Sequence, residues 1–171
     1  MQDSVEFGPK AEYDFGMRRF QIWLAVWVTI AAVVAASAST GEVLKVLPEF
    51  LDLKGRNSLS PSLYERDAYQ LILREHPEQR SGIRFYVHWK TKGPPWAPLK
   101  LRVELRGSAE GNLPKRLTVD QALLNPGGLF GRWTNVTLTG EDYKNFGAVT
   151  AWRVTLWEGG TLLGEQRSYL W

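Results

Sequence analysis

The run from Phe20 to Ala38, FQIWLAVWVTIAAVVAASA, contains no Asp, Glu, Lys or Arg, and Arg18 and Arg19 stand directly before it. Its length is close to the ~20 residues that cross a hydrocarbon core. A chain with such a segment is expected to meet a membrane. The two arginines hold the preceding end in the cytoplasm, so residues 39–171 are expected outside, in the periplasm or at the cell surface.

Two readings of the run stay open. As a retained signal-anchor helix, residues 20–38 cross the bilayer, with Trp23 and Trp27 toward one interface. As a cleaved signal peptide, translation starts at Met17, Ile22 to Val34 is the apolar stretch, and Ala36-Ser37-Ala38 is the small-residue site. Cleavage then falls between Ala38 and Ser39. The segment 1–16 carries four acids and one lysine, unusual before an export signal, and reads as a polar extension from a mis-assigned start. A buried core helix fits less well, because the run has no polar face.

The first 38 residues hold three bases and four acids of a chain with net charge +3, so the remainder carries +4. This mild excess suits anionic surroundings, and no nucleic-acid-binding motif accompanies it. The absence of cysteine excludes disulfides, thiolate metal sites, thiol nucleophiles and a lipoprotein anchor. An exported domain of this kind must be held by packing alone.

Residues 39–59 are expected to be a connector with a small apolar patch around Val43, Leu44, Val46, Leu47, Phe50 and Leu51. Residues 60–77 predict a helix. Ser60 caps it, Pro61 takes the first turn, Ser62 and Glu65 have capping-box spacing, and Pro77 stops it. Tyr64, Ala68, Leu71 and Ile72 form its apolar face. A strand with Tyr69, Leu71 and Leu73 inward is the alternative.

From Gly82 the period becomes two. Ile83, Phe85, Val87 and Trp89 alternate with Arg84, Tyr86, His88 and Lys90. Beyond the Pro-rich loop around Trp96, Leu99, Leu101, Val103 and Leu105 alternate with charged residues. Further strands are expected over 115–124, 133–139, 148–157 and 162–170, with turns at 125–128 and Gly159-Gly160. A helical turn at 140–146 crosses between sheets, with Tyr143 and Phe146 packed downward. Strands with one apolar face belong to antiparallel sheets wetted on one side.

The fold expected is mainly β: residues 60–171 form one domain, a short α-helix followed by an antiparallel immunoglobulin-like β-sandwich, with the signal or transmembrane helix at 17–38 ahead of it. It resembles immunoglobulin-like and fibronectin-like sandwiches at the level of architecture, without their Cys-Trp-Cys spacing.

No nucleophile–base pattern, phosphate-binding loop or metal-ligand spacing is present, and His76 and His88 have no second histidine at ligand spacing. No cofactor or catalytic residue is assigned. The candidate binding residues are Trp96, Trp133 and Trp157, as an aromatic platform for a sugar or protein, against the alternative that the rings close the ends of the core. Arg84, Tyr86 and His88, with Lys90, are expected to form an outer basic patch beside Lys100, Arg102 and Arg106. The expected role is a non-catalytic binding or scaffold module of the cell envelope with a protein or polysaccharide partner. A carbohydrate-binding or carbohydrate-acting domain is the alternative.

Overall fold

The computed structural model describes residues 39–108, 113–124 and 130–171. The apolar run, Met17, Ala38 and the turn at 125–128 lie outside the described residues. Among the described residues no helix is long and apolar enough to cross a membrane.

The first element corrects the expectation of a connector. Thr40–Asp52 is a 13-residue strand, β1. Its alternation is broken twice in sequence, which hid it. Leu44 is an extra residue at a bulge, where Val43 pairs with Trp89 and Lys45 already with His88. Pro48 sits mid-strand, which only an edge strand tolerates, and β1 is the edge of its sheet.

Helix α1 follows as Leu63–Glu75, two residues later than predicted. Ser62 is the N-cap, Pro61 precedes it, and the Ser62 side chain makes no capping bond, so the capping box does not form. The buried face is also not the one expected. Gln70 and Leu73 are buried, whereas Tyr64, Leu71 and Ile72 are exposed. α1 packs on β1, whose adjoining residues include the buried acids Glu49 and Asp52. It therefore turns the Gln70 amide inward beside the apolar Leu73.

The remaining elements follow the predicted periods. After a 3-10 turn at Pro77–Gln79, β2 is Arg80–Lys92, β3 Leu99–Ser108, β4 Pro114–Leu123, β5 Arg132–Thr139, α2 Gly140–Phe146, β6 Ala148–Glu158 and β7 Thr161–Arg167. Two antiparallel sheets result, one in the order β1-β2-β5 and one in the order β4-β3-β6-β7. α2 carries the chain from the first sheet to the second, with Phe146 buried and Tyr143 packed against the core.

Both sheets feed a single buried cluster. Phe85, Val87 and Val136 come from the first sheet; Leu101, Val103, Val154 and Leu156 come from the second. Phe85 and Trp152 meet across it edge to face, with ring centres 6.3 Å apart. Trp89 is buried, as its inward position required, while Trp152 is half-buried. At one corner β7 comes hard against the start of β1. A Cβ on Gly164 would stand 3.0 Å from both the Glu42 Cα and the Gly41 carbonyl oxygen. Glycine is what lets the two edges approach.

Candidate functional site

Period-two alternation turns Arg84, Tyr86 and His88 of β2 away from the core. Cross-strand register sets Leu47 opposite Tyr86 and Glu49 opposite Arg84 on one side, and Trp133 opposite His88 on the other. These residues therefore share the outer face of the three-stranded sheet. α1 covers one end of β1, and where this cover stops a cleft of about 270 Å³ opens. Leu47, Glu49, Asn57, Arg66, Tyr86 and Trp133 line it.

Trp133 supplies the exposed aromatic wall. Its ring stacks on the His88 imidazole at 4.8 Å with planes 9° apart. His88 is itself held, since Nε2 lies 3.2 Å from the Phe130 carbonyl oxygen. A carbonyl only accepts, so Nε2 carries the proton in this contact. Gly131 leaves room for this arrangement. Its φ is +75°, and a Cβ there would fall 2.7 Å from His88 Nε2. Tyr86 accepts a hydrogen bond from Arg84 Nη1 at 3.2 Å, and Arg84 Nε donates to Thr137 Oγ1 at 3.3 Å. Trp133 and Tyr86 thus each have a side-chain neighbour on the same sheet face.

The polar side of the cleft is Glu49. It is only 7% exposed, Asn57 Nδ2 donates to its Oε2, and Arg66 Nε stands 3.5 Å from its Oε1. That Arg66 nitrogen is an ion-pair neighbour but has no hydrogen-bond partner. A second depression of about 420 Å³, with Asp67, Gln70 and Arg74 in its lining, shares Leu47, Glu49 and Arg66 with the first.

The structure divides the predicted site residues. Trp133 joins Arg84, Tyr86 and His88 on one face. Trp157 lies on the other sheet, on β6 opposite Lys100, where it is half-buried. Its Nε1 donates to Thr155 Oγ1 at 2.8 Å. Trp96 is 68% exposed and sits in the β2–β3 loop, its backbone N–H donating to Glu158 Oε1 at 2.8 Å. Trp133 and Trp157 thus project from different sheets and make no common platform.

The expected basic patch is dispersed for the same reason. β2 and β3 belong to different sheets, so Arg84 and His88 do not adjoin Lys100, Arg102 and Arg106. Lys90 pairs with Glu42 at 2.9 Å. Lys100 and Arg102 converge on Asp120 at 3.3 and 2.8 Å. The Arg102 guanidinium and the Lys100 ammonium, against some cost of burial, hold the Asp120 carboxyl at about 2. Arg106 lies over the Trp171 ring, 4.1 Å from its centre.

Sequence reasoning missed Glu49, Asn57 and Arg66. The one signal for Glu49 was an acid inside the apolar patch VLPEFL, which gains meaning only once that patch is a strand. Among the described residues no group of acids and histidines is placed to hold a metal. Comparison of the chain with protein families, curated proteins and solved structures finds no match.

Proposed function

We propose that this chain is a non-catalytic binding module of the cell envelope, an immunoglobulin-like β-sandwich exported or anchored by residues 17–38, whose partner docks on the Tyr86–Trp133 face. The observation that carries the reading is the cleft itself: pre-positioned aromatic side chains beside a sequestered carboxylate, on a rigid sheet. Rigid rings contribute affinity with little ordering cost. The apolar run at 20–38, preceded by two arginines, supports placement outside the cytoplasmic membrane.

A saccharide is the partner this chemistry favours within that reading. A sugar ring offers an apolar face to stack on Trp133 and hydroxyls to reach Glu49 and Arg66. Binding is favoured over hydrolysis because glycosidic cleavage ordinarily uses two opposed carboxyl groups, and the cleft lining holds one, Glu49.

The test is fluorescence titration of the full-length protein with a panel of soluble neutral oligosaccharides. Wild type and Trp157→Ala should show a saturable change with at least one sugar. Trp133→Ala should bind that sugar at least tenfold more weakly, a loss of about 1.4 kcal/mol or more. Flat titrations with every sugar would remove the saccharide reading and leave a protein partner, to be sought by pull-down from the envelope. Equal losses in both tryptophan variants would overturn the assignment of this face.

A further inference from the structure

Glu158 ends β6 and is only 1% exposed. Its carboxylate receives the Ser39 hydroxyl on Oε2 and the Trp96 backbone N–H on Oε1 at 2.8 Å. Among the described residues no Lys, Arg or His forms an ion pair with it. The charged groups on the surrounding strands are engaged elsewhere or face solvent. Glu42 pairs with Lys90, Lys100 goes to Asp120, and Lys92 and Glu165 are exposed. The site is built rather than incidental, because the β6–β7 hairpin is also tied to the β2–β3 loop through Gly159 N–H and the Pro98 carbonyl at 2.9 Å. A carboxylate withdrawn from water in this way calls for an opposite charge as well as hydrogen bonds.

Ser39, itself buried, is also the residue that follows the small-residue site Ala36-Ser37-Ala38. We propose that a signal-peptidase-type protease cuts between Ala38 and Ser39 and thereby creates a counter-ion for Glu158. The hydrolysis consumes one water. The Ala38–Ser39 amide bond breaks, Ala38 leaves as a carboxylate, and Ser39 keeps its nitrogen as a protonated α-amine. That nitrogen and the Oγ already bonded to Glu158 sit on adjacent carbons of one residue, so the ammonium is within reach of the carboxylate. Processing then does more than release the chain. It ties the new N-terminus to the β6–β7 hairpin and, through Trp96, to the β2–β3 loop. This inference rests on the export reading above and is independent of the ligand.

The experiment is expression of the full chain in an export-competent bacterium, recovery from the envelope fraction, and N-terminal sequencing with intact mass. The expected mature protein is residues 39–171. Its α-amine is then acylated over a range of pH. A free α-amine titrates at about 7.7–8.0, and pairing with Glu158 raises that value. The rate near neutral pH should therefore be about tenfold lower for each unit of elevation, and Glu158→Gln should restore the ordinary rate. Raised in the folded protein, the group adds stability below pH 8, and that gain is lost as pH rises through its folded value. Should Glu158→Gln fail to fold, the wild-type acylation profile alone decides, because an ordinary amine pKa overturns the proposal. An N-terminus at Met1 or Met17 on an exported protein also overturns it while leaving export intact. An unprocessed cytoplasmic chain defeats the export reading as well.

Discussion

Asp52 shows how much of this fold hangs on single polar side chains. It lies where β1 ends, 5% exposed. Oδ1 accepts the backbone N–H groups of Lys54 and Arg56, each at 2.8 Å. Oδ2 accepts Arg56 Nε and the Tyr69 hydroxyl, each at 2.9 Å. Burial pushes its pKa up, but the Arg56 backbone and guanidinium, Tyr69 and Lys54 outweigh that and hold it at about 2. A carboxyl whose folded pKa is depressed contributes stability above its unfolded value, about 3.9, and loses it as pH falls through the folded one. Thermal melts should therefore drop between about pH 4 and pH 2, and Asp52→Asn should flatten that limb while lowering the melting temperature at neutral pH. Asp120 titrates in the same window, but its side chain is 42% exposed and solvent screening reduces its weight. An unchanged acid limb in Asp52→Asn would mean that the network does not hold the loop.

At the scale of elements, the docking of α1 explains both what the sequence made legible and what it concealed. β2, β3 and β5 were readable because each alternates and buries one face, and β6 because Val154 and Leu156 mark its core side although Thr155 between them is buried as well. β1 was not, because its bulge at Leu44 breaks the period and Pro48 argues against a strand. The inward face of α1 does not follow apolar spacing, because Gln70 docks beside Leu73 while Leu71 and Ile72 stay exposed. Gln70 Oε1 accepts the Phe50 N–H at 2.7 Å, and its Nε2 donates to the Phe50 and Asn57 carbonyls at 2.9 and 2.8 Å. The amide thus stands in for the missing neighbour of an edge strand. The cleft inherits this concealment, since Glu49 and Arg66 come from the two elements least legible in sequence. Trp133 and Tyr86 were found because they alternate with core residues. Gln70→Ala should leave the Phe50 amide group without its partner, at a cost on the order of 1–3 kcal/mol. Hydrogen exchange at the Phe50 amide should quicken more than at Val87. Equal exchange at Phe50 in variant and wild type would show that α1 is held by other contacts.

Across the whole molecule, one core joins the two sheets, so they should unfold together. Val103 is fully buried in that cluster, and Val103→Ala should cost on the order of 1–3 kcal/mol through lost burial and a residual cavity. Urea unfolding followed by tryptophan fluorescence and by far-ultraviolet circular dichroism should shift together to one lower midpoint; separated transitions would mean that the sheets are independent. The same layout decides how the domain bears a pull. Ser39 meets Glu158, which pairs with Leu99 at one end of β3. Trp171 rests over Arg106, seven residues along that strand and roughly 23 Å away. Tension between Ser39 and Trp171 would draw β1 along β2, and β7 along β6, parallel to the strands. Their rungs lie across that direction and would share the load, rather than opening one at a time as in a zipper. A pull on Ser39 and Trp171 therefore meets the strand geometry that resists separation.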